Sequence, residues 1–255
     1  MVAQELKSAG FKVYAAARRV DRMADLEKDG ITPVALDLTR DGSIAACVNT
    51  ILSKEKSIDV LVNNAGYGSY GAIEDVPLEE GRRQFEVNLF GTARLIRLVT
   101  PAMREQHYEK IVNISSMGGK IWTKFGGWYH ATKYAVEGLS DCLRMELQPF
   151  GIDVVVVEPG GIKTDRGLIA AENLKKTSTN GAYAEMANKA ADGMIKNYSG
   201  DLLSKPALIA KTVRKAVTKR RPRTRYLVGF GAKPMVWTHR LFGDRVFDWV
   251  LRTFS

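Results

Sequence analysis

The chain has 255 residues, of which 45% are hydrophobic and 26% charged, and its formal net charge is +10. This size and composition suffice for a single globular domain with a substantial core. The chain has no charged-then-apolar leader, and no apolar run approaches the roughly 18 residues that a membrane span needs. The sequence therefore predicts neither secretion nor a span.

The cysteines argue against a metal site or a disulfide framework, and the basic stretch does not predict a nucleic-acid-binding protein. Cys47 and Cys142 fit neither a metal-ligand spacing nor a disulfide framework, so we expect reduced thiols, a cytoplasmic protein and no metal site. Much of the positive charge falls in residues 211–225. We interpret this stretch as a solvated helix end followed by a turn at Pro222, rather than an anion-binding patch. No nucleic-acid motif accompanies it, and we expect no nucleic-acid partner.

Short apolar runs alternate with longer helical patterns along the chain, which predicts β-α units around a parallel sheet. The Val/Ile/Ala character of these runs is typical of strands buried on both faces. The predicted strands are 12–17, 33–36, 58–62, 110–114, 153–157 and 225–228. The predicted helices are 43–54, 78–104, 127–150, 183–197 and 205–219.

Polar and glycine-rich segments follow three of the predicted strands. A parallel sheet binds ligands beyond the carboxyl ends of its strands, so these segments predict one site at that edge. They are Asn63-Asn64-Ala65-Gly66, Ser115-Ser116 and Pro159-Gly160-Gly161.

Tyr129 and Lys133 share one face of the helix predicted at 127–150, because residues four apart are neighbours on a helix. Ser116 stands thirteen residues before the tyrosine. A phenol, an ammonium and a hydroxyl together can move a proton onto or off a carbonyl or alcohol oxygen. Lowering the pKa of a tyrosine from about 10 to about 7 takes roughly 4 kcal/mol. A cation about 4 Å away supplies approximately that at an effective dielectric near 20, so we expect Lys133 to lower the pKa of Tyr129.

As a set, these residues resemble the motifs of classical short-chain dehydrogenase/reductases, with some likeness to hydroxysteroid-dehydrogenase-like members. The matching elements span most of the chain in the family's order: Asp37-Leu38, Asn63-Asn64-Ala65-Gly66, Asn88, Ser116, Tyr129 with Lys133, Pro159-Gly160 and Thr164. The resemblance implies an α/β fold, a Rossmann-like doubly wound parallel sheet in one domain over 1–255. It also implies a substrate lid at 165–200 and a C-terminal tail at 230–255.

The resemblance further implies a catalytic tetrad and an oxidoreductase that moves hydride between a carbonyl and an alcohol. Tyr129 would be the acid/base, Ser116 would hold the substrate oxygen, and Lys133 would tune Tyr129 and bind the nicotinamide ribose. Asn88 would hold a helix irregularity and a water that connects Lys133 to solvent. Ser115 is the alternative hydroxyl, but the family's spacing favours Ser116.

The cofactor is expected to be NADP(H) rather than NAD(H). Members that prefer NAD commonly carry an acid at the end of the strand that corresponds to 12–17, where this chain has Ala17 followed by Arg18 and Arg19. Guanidinium groups pair well with a 2′-phosphate, although a solvated basic loop is the alternative reading. The resemblance places the cofactor contacts at Arg18, Arg19, Asp37, Leu38, Asn63, Ala65, Gly66, Tyr129, Lys133, Pro159, Gly160, Ile162 and Thr164.

The family's first strand and its Thr-Gly-x-x-x-Gly-x-Gly turn have no counterpart in this sequence. Residues 1–10 look like the second half of the helix that follows that turn. We therefore expect an N-terminally truncated domain without the first strand, and poor dinucleotide binding. The alternative function is a non-catalytic or impaired binding protein of the same fold. A sugar-nucleotide epimerase shares the Tyr/Lys pair, but the short C-terminal region argues against it.

Substrate and assembly are the least constrained properties. Leu168, Ile169, Tyr183 and Met186 predict a lid, and the expected substrate is a fairly large, apolar carbonyl or alcohol. The tail repeats apolar residues at helical spacing, as a pocket cover, an oligomer contact or a membrane-surface helix would, and of these we expect a pocket cover or a packing contact. These residues are Val236, Trp237, Leu241, Phe242, Val246, Phe247, Trp249, Val250 and Phe254. The family also suggests a homodimer or homotetramer joined through 78–104 and 127–150.

Overall fold

The computed structural model describes residues 1–106 and 109–253, so Phe254 lies outside the described part. Strands and helices alternate along the chain as the sequence predicts. The strands are β1 (Tyr14–Ala17), β2 (Thr32–Ala35), β3 (Val60–Asn63), β4 (Lys110–Ile114), β5 (Asp153–Pro159) and β6 (Arg225–Val228). The helices are α1 (Val2–Ser8), α2 (Ala24–Lys28), α3 (Asp41–Glu55), α4 (Leu78–Phe85), α5 (Gly91–Gln106), α6 (Gly127–Leu147), α7 (Arg166–Ser178), α8 (Ala184–Ser199), α9 (Ala207–Thr218) and α10 (Ala232–Thr253).

All strand pairs are parallel, and helices cover both faces of the sheet, which confirms the α/β Rossmann-like fold. The strands fall into two groups, β1-β2 and β3-β4-β5-β6. In the larger group Leu61 lies opposite Ile111, and Ile111 opposite Val154. The expected absence of a family strand between the two groups stays a prediction.

The burial of each strand depends on how many neighbouring strands it pairs with. β4 and β5 are almost entirely buried, as the sequence predicts, because each has a strand on both sides and helices above and below. β1 and β3 are only partly buried, since within the described residues each pairs with one neighbour. A cavity of about 540 Å³ lies between them, lined by both strands and by apolar side chains of α1, α3 and α5.

Two hydrophobic clusters fix the helices to the larger group. On one face α3, α5 and α6 bury Ile44, Val99 and Leu143 against Ile111. On the other face α1 and α9 bury Leu6 and Val213 against Val112 and Val155. The carboxyl ends of the strands are thereby held at one edge, where the polar segments emerge.

The structure corrects three details of the sequence analysis. The predicted helix 78–104 is two α-helices separated by a π-helical segment, Glu86–Phe90. Helix α7 was not predicted, because its sequence mixes polar and small residues without a clear apolar stripe. Arg225, placed by the sequence at the end of a solvated basic stretch, is half-buried and ion-paired.

The C-terminal tail is helical, as its spacing predicts, with a break at Gly243, where φ is 73°. It packs through Phe247, which is fully buried and lies edge-on to Trp122 at a centroid distance of 5.3 Å. Trp122 Nε1 also donates to Asp248 at 3.0 Å. None of the described helices is long and apolar enough to cross a membrane.

We expect Phe247→Ala to lower the free energy of unfolding by about 3–5 kcal/mol, because it removes a buried ring from a packed site. Trp249→Ala, two residues away on the exposed side, is the matched control, with an expected change within about 0.5 kcal/mol. Urea unfolding of the two variants measures both values. Equal losses would show that α10 does not pack through Phe247.

Candidate active site

Lys133 is the most deeply placed charged group of the predicted site. Its side chain enters from α6, is 4% exposed, and donates from Nζ to the carbonyl oxygen of Ile114 at 2.9 Å. Ile114 ends β4, so this hydrogen bond ties the helix to the carboxyl end of the strand. Lys133 Nζ lies 6.0 Å from the centroid of the Tyr129 ring, one helical turn earlier.

Ser116 lies at the same edge, in the loop that follows β4. Its hydroxyl accepts from the backbone N–H of Gly118 at 3.0 Å and donates to the carbonyl oxygen of Pro159 at 3.4 Å. Ser116 also lies close enough to the phenol of Tyr129 to lower its pKa, and both side chains line one pocket. Ser115 Oγ is instead buried without a hydrogen-bond partner among the described residues. Ser116 is therefore the hydroxyl that the fold brings to Tyr129.

Asn88 occupies the middle of the π-helical segment and is almost completely buried. Its Oδ1 accepts from the backbone N–H of Tyr67 at 3.0 Å, and its Nδ2 donates to the Tyr67 carbonyl at 2.8 Å. Nδ2 also lies 3.0 Å from Thr132 Oγ1, next to Lys133. The Asn88 side chain thus satisfies both backbone groups of Tyr67, and such a side-chain interaction is consistent with the extra residue in this π-helical turn. Asn88 thereby joins the loop after β3 to α6.

His130 holds the loop between β4 and α6. Its Nε2 accepts from the backbone N–H of Thr123 at 3.0 Å, which leaves Nδ1 to donate to the Gly118 carbonyl at 2.9 Å. Burial lowers the pKa of His130, so the ring is neutral in this arrangement. The loop that carries Ser116 is thus fixed at two points by the residue that follows Tyr129.

The pKa of Tyr129 moves in the direction opposite to the one expected from the sequence. Burial raises the pKa of the phenol, and this outweighs the lowering by the Ser116 hydrogen bond and by the charge of Arg166. Burial also lowers the pKa of Lys133 to about 7, helped by Arg166 and opposed by Glu137. Desolvation is the largest effect on both groups, since Lys133 is buried and Tyr129 is half-buried. Tyr129 is therefore a protonated phenol at neutral pH.

A pocket of about 160 Å³ contains Ser116, Tyr129 and Lys133. Its walls include residues that the sequence analysis did not assign to the site: Tyr70, Ile121, Arg166, Ala170 and Tyr198. Of the predicted lid segment, α7 and α8 contribute Arg166, Ala170 and Tyr198, whereas Leu168, Ile169, Tyr183 and Met186 do not line the pocket. Nothing in a single sequence marks Tyr70 or Tyr198, because their position depends on how α7 and α8 fold back.

Small residues are required around Tyr129. A Cβ on Gly68 would lie 2.9 Å from Cδ2 of Tyr129, and a Cβ on Gly167 would lie 2.3 Å from the ring of Tyr198. A Cβ on Gly66 would approach Asn88 Oδ1 to 3.1 Å. These glycines allow three side chains of the pocket to lie directly against the backbone.

Most of the predicted cofactor contacts fall into two groups. Arg18 and Arg19 are exposed at the end of β1, and Asp37 accepts from the backbone and hydroxyl of Thr39 in the loop after β2. The second group is at the pocket of Tyr129: Gly66, Gly160, Tyr129 and Lys133 line it, and the carbonyl oxygen of Pro159 accepts from Ser116. Outside both groups, Leu38, Ile162 and Asn63 are buried, with Asn63 Nδ2 donating to Asn113 at 2.8 Å, and Thr164 is half-buried. Ala65 adjoins the cavity between β1 and β3, and Gly66 adjoins the smaller pocket, so one loop borders both spaces.

Behind Lys133 lies a buried cluster of charges centred on Glu137, one turn along α6, and Glu158 in β5. Lys120 Nζ is 3.0 Å from Glu137 Oε2, and Arg225 Nη2 is 3.1 Å from the same oxygen. Arg225 Nε lies 3.3 Å from Glu158 Oε1 and its Nη2 2.7 Å from Asp141 Oδ2. Burial, and then the charge of Glu137, raise the pKa of Glu158 to about 7. The protonated carboxyl can donate to Glu137, which lets two acids share this space.

Known proteins of the same kind were found by sequence and by structure. The family described as short chain dehydrogenase matches residues 1–174. A probable short-chain type dehydrogenase/reductase, VdlC of Helicobacter pylori, is 33% identical over 251 residues, covering 97% of this chain and 90% of that protein. A short-chain dehydrogenase from Streptomyces avermitilis has a TM-score of 0.80 and 33% identity, covering 94% of this chain and 87% of that one. The structure of a variant actinorhodin polyketide ketoreductase with NADPH has a TM-score of 0.72 and 27% identity, with 88% of each chain covered.

The proton that Glu158 shares with Glu137 makes the stability of the fold depend on pH. Between about pH 4.5, where an ordinary glutamate titrates, and about 7, folded Glu158 keeps a proton that the unfolded chain has released. Raising the pH through this window therefore destabilises the fold. We expect Glu158→Gln to remove this loss, so the variant should gain on the order of 2 kcal/mol relative to wild type between about pH 5 and pH 8.

Urea unfolding at a series of pH values measures this difference. Glu146→Gln, an exposed position on α6, is the control and should follow wild type at every pH. A Glu158→Gln variant whose stability falls with pH as steeply as that of wild type would contradict the raised pKa.

Proposed function

This chain belongs to the short-chain dehydrogenase family and is an NAD(P)-dependent oxidoreductase. From that premise we propose that it interconverts an apolar carbonyl and its alcohol with NADP(H), using Tyr129 as the acid/base. The observation that carries the proposal is that Ser116, Tyr129 and buried Lys133 line one small pocket. A phenol, a hydroxyl and an ammonium in one small pocket match the requirements of proton transfer to a carbonyl oxygen.

Each group has a distinct part in this proposal. Protonated Tyr129 donates a proton to the substrate oxygen during reduction and takes it back during oxidation. Ser116 holds that oxygen, since its own position is fixed by Gly118 and Pro159. Lys133 lies one helical turn from Tyr129 and, with its pKa lowered to about 7, can exchange a proton near neutral pH. Asn88 links its neighbour Thr132 to the loop after β3. The hydride is the contribution of the nicotinamide cofactor when it is bound.

The residues present at the strand ends match the two ends of a dinucleotide that would extend from β1 to the pocket of Tyr129. The glycine-rich turn that holds the pyrophosphate in this family has no counterpart in this sequence, so this chain is expected to bind the dinucleotide weakly. The loop after β3 borders the smaller pocket at Gly66. Glycines at 66, 68, 160 and 161 leave backbone rather than side chain at the wall of the smaller pocket. Tyr129 and Lys133 would meet the nicotinamide end, and the residues after β1 and β2 the adenosine end.

The preference for NADP(H) rests on Arg18 and Arg19. Both follow β1 at the sheet edge, both are exposed, and no carboxylate occupies the position before them. Two guanidinium groups in this place favour a 2′-phosphate, which an acid would repel. The NADPH bound by the polyketide ketoreductase supports the same choice.

The proposed substrate class follows from the wall of the smaller pocket. Tyr70, Ile121, Ala170 and Tyr198 present aromatic and aliphatic surface around the polar groups of Ser116 and Tyr129. A ligand with one reactive oxygen on an apolar body matches such a wall. We also propose a homodimer or homotetramer joined through α5 and α6, whose exposed apolar residues include Leu98, Tyr134 and Met145.

The proton-transfer role predicts that Tyr129→Phe lowers kcat at least a hundredfold, because general acid catalysis contributes about 10²–10⁴-fold. The measurement is NADPH oxidation against a panel of apolar ketones. Tyr134→Phe, a half-exposed tyrosine on the same helix, is the control and should retain wild-type rates. Equal rates for wild type and Tyr129→Phe would refute the mechanism. Absence of turnover together with absence of cofactor binding would favour a non-catalytic binding protein.

The cofactor preference predicts that Arg18→Ala weakens NADPH binding about tenfold or more, since it removes a charge-assisted hydrogen bond of roughly 1.5–3 kcal/mol. NADH binding should be unchanged. Fluorescence titration with both cofactors gives the ratio of dissociation constants, and Arg22→Ala, a nearby exposed arginine, serves as the control. A parallel loss for NADH and NADPH would assign Arg18 to something other than the 2′-phosphate.

A further inference from the structure

Helix α10 has a buried side and a markedly apolar exposed side. Phe247 and Asp248 face the loop that carries Trp122. On the exposed side, five large apolar side chains are between 40% and 68% exposed, and we refer to them as the α10 apolar surface: Trp237, Leu241, Phe242, Val246 and Trp249. An exposed apolar surface of this size on one helix requires a partner.

The apolar surface continues across the break in the helix. Trp237 and Leu241 are four residues apart before Gly243, and Val246 and Trp249 are three apart after it, so each pair shares one face of its half. The glycine, with φ at 73°, joins the two halves in a conformation that other residues rarely adopt. Both halves therefore contribute aromatic and aliphatic side chains to the exposed side.

Positive charge surrounds this surface. Lys233, Arg240, Arg245 and Arg252 are exposed along α10, and the guanidinium of Arg240 lies 5.4 Å from the centre of the Trp237 ring. The helix has two acids: Asp248 accepts from Trp122 on the buried side, and Asp244 is exposed with one oxygen 2.9 Å from His239 Nε2 on the same helix. The exposed side thus combines tryptophan, leucine and phenylalanine with an excess of cations.

We infer that the α10 apolar surface docks on an anionic lipid bilayer. In this arrangement Trp237, Leu241 and Trp249 enter the boundary between headgroups and acyl chains, and the four cations lie against lipid phosphates. A helix of this composition lies in the plane of the membrane interface and does not span it. The net charge of +10 on the whole chain adds long-range attraction to a negative surface.

A second copy of the chain is the less suitable occupant. A two-fold contact would place the same patch against itself, so both sides of the contact would carry the excess of cations. Lipid phosphates instead neutralise the cations. The observed excess of positive charge therefore favours the anionic membrane over self-association.

Docking through this surface would orient the site toward the bilayer. Ala232, the first residue of α10, packs closely against Gly160, since a Cβ added to that glycine would lie 2.8 Å from the Cβ of Ala232. The second half of α10 contacts the loop after Ser116, where Trp122 donates a hydrogen bond to Asp248. Both neighbours belong to the edge that carries the pocket of Tyr129. The membrane-docking inference does not rest on the proposed function, because its test measures lipid binding rather than turnover.

The test is co-sedimentation of the full chain with vesicles of phosphatidylcholine mixed with phosphatidylserine, and with vesicles of phosphatidylcholine alone. We expect binding to the anionic vesicles, a blue shift of tryptophan emission, and weaker binding as salt is raised. Leu241→Ser with Trp249→Ser should reduce binding at least tenfold. Arg240→Glu with Arg245→Glu should reduce it roughly fivefold or more per residue.

Matched controls separate this surface from other exposed groups. Leu202→Ser removes an equally exposed leucine from the segment before α9, and Arg220→Glu with Arg221→Glu reverses charge in the basic stretch. Both controls should bind vesicles within about twofold of wild type, since neither lies on α10. Circular dichroism verifies that each variant is folded.

Three results would overturn the inference. One is no binding to phosphatidylserine vesicles by folded wild type. Another is equal binding by wild type and the α10 variants. The third is a concentration-dependent oligomer that Leu241→Ser with Trp249→Ser disperses, because the surface would then be an interface between copies.

Discussion

A lysine ammonium can stay inside a protein only if fixed acceptors and compensating charges replace the water it loses. Lys133 is in this position, and the neighbouring structure follows from that requirement. The Ile114 carbonyl, at the end of β4, accepts a hydrogen bond from the Lys133 ammonium. Glu137, one turn along α6, opposes the effect of burial on the pKa of Lys133. Through these contacts the helix that carries Tyr129 is set against the strand that precedes Ser116. The acids behind Lys133 are therefore part of the same electrostatic arrangement as the pocket in front of it.

Most of the fold could be predicted from the sequence, because buried parallel strands leave short, continuous apolar runs. The bounds of β4 and β6 agree with the prediction, and the other strands differ only at their ends. The π-helical segment around Asn88 could not be predicted from periodicity. Its extra residue is stabilised by hydrogen bonds to Tyr67, a partner 21 residues away. Arg225 was misplaced for a similar reason, since its carboxylate partners Glu137 and Asp141 are more than 80 residues away.

Site residues whose position depends on a strand end or on helical spacing could be predicted from the sequence. Site residues whose position depends on how α7 and α8 fold could not. Ser116, Tyr129 and Lys133 come together because a strand end and one helix face suffice to place them. Arg166 and Tyr198 reach the pocket only after α7 and α8 pack on each other. The direction of the pKa of Tyr129 also depends on burial, which charge spacing alone does not reveal.

The separation of the two ends of the proposed cofactor site has a consequence for how this protein can change over evolutionary time. Arg18 and Asp37 follow β1 and β2, whereas Ser116, Tyr129 and Lys133 lie in the loop after β4 and on α6. Because these residues belong to different elements, a substitution that alters recognition of the adenosine end need not disturb the residues that transfer the proton. Cofactor preference can therefore change under selection while the catalytic chemistry is retained.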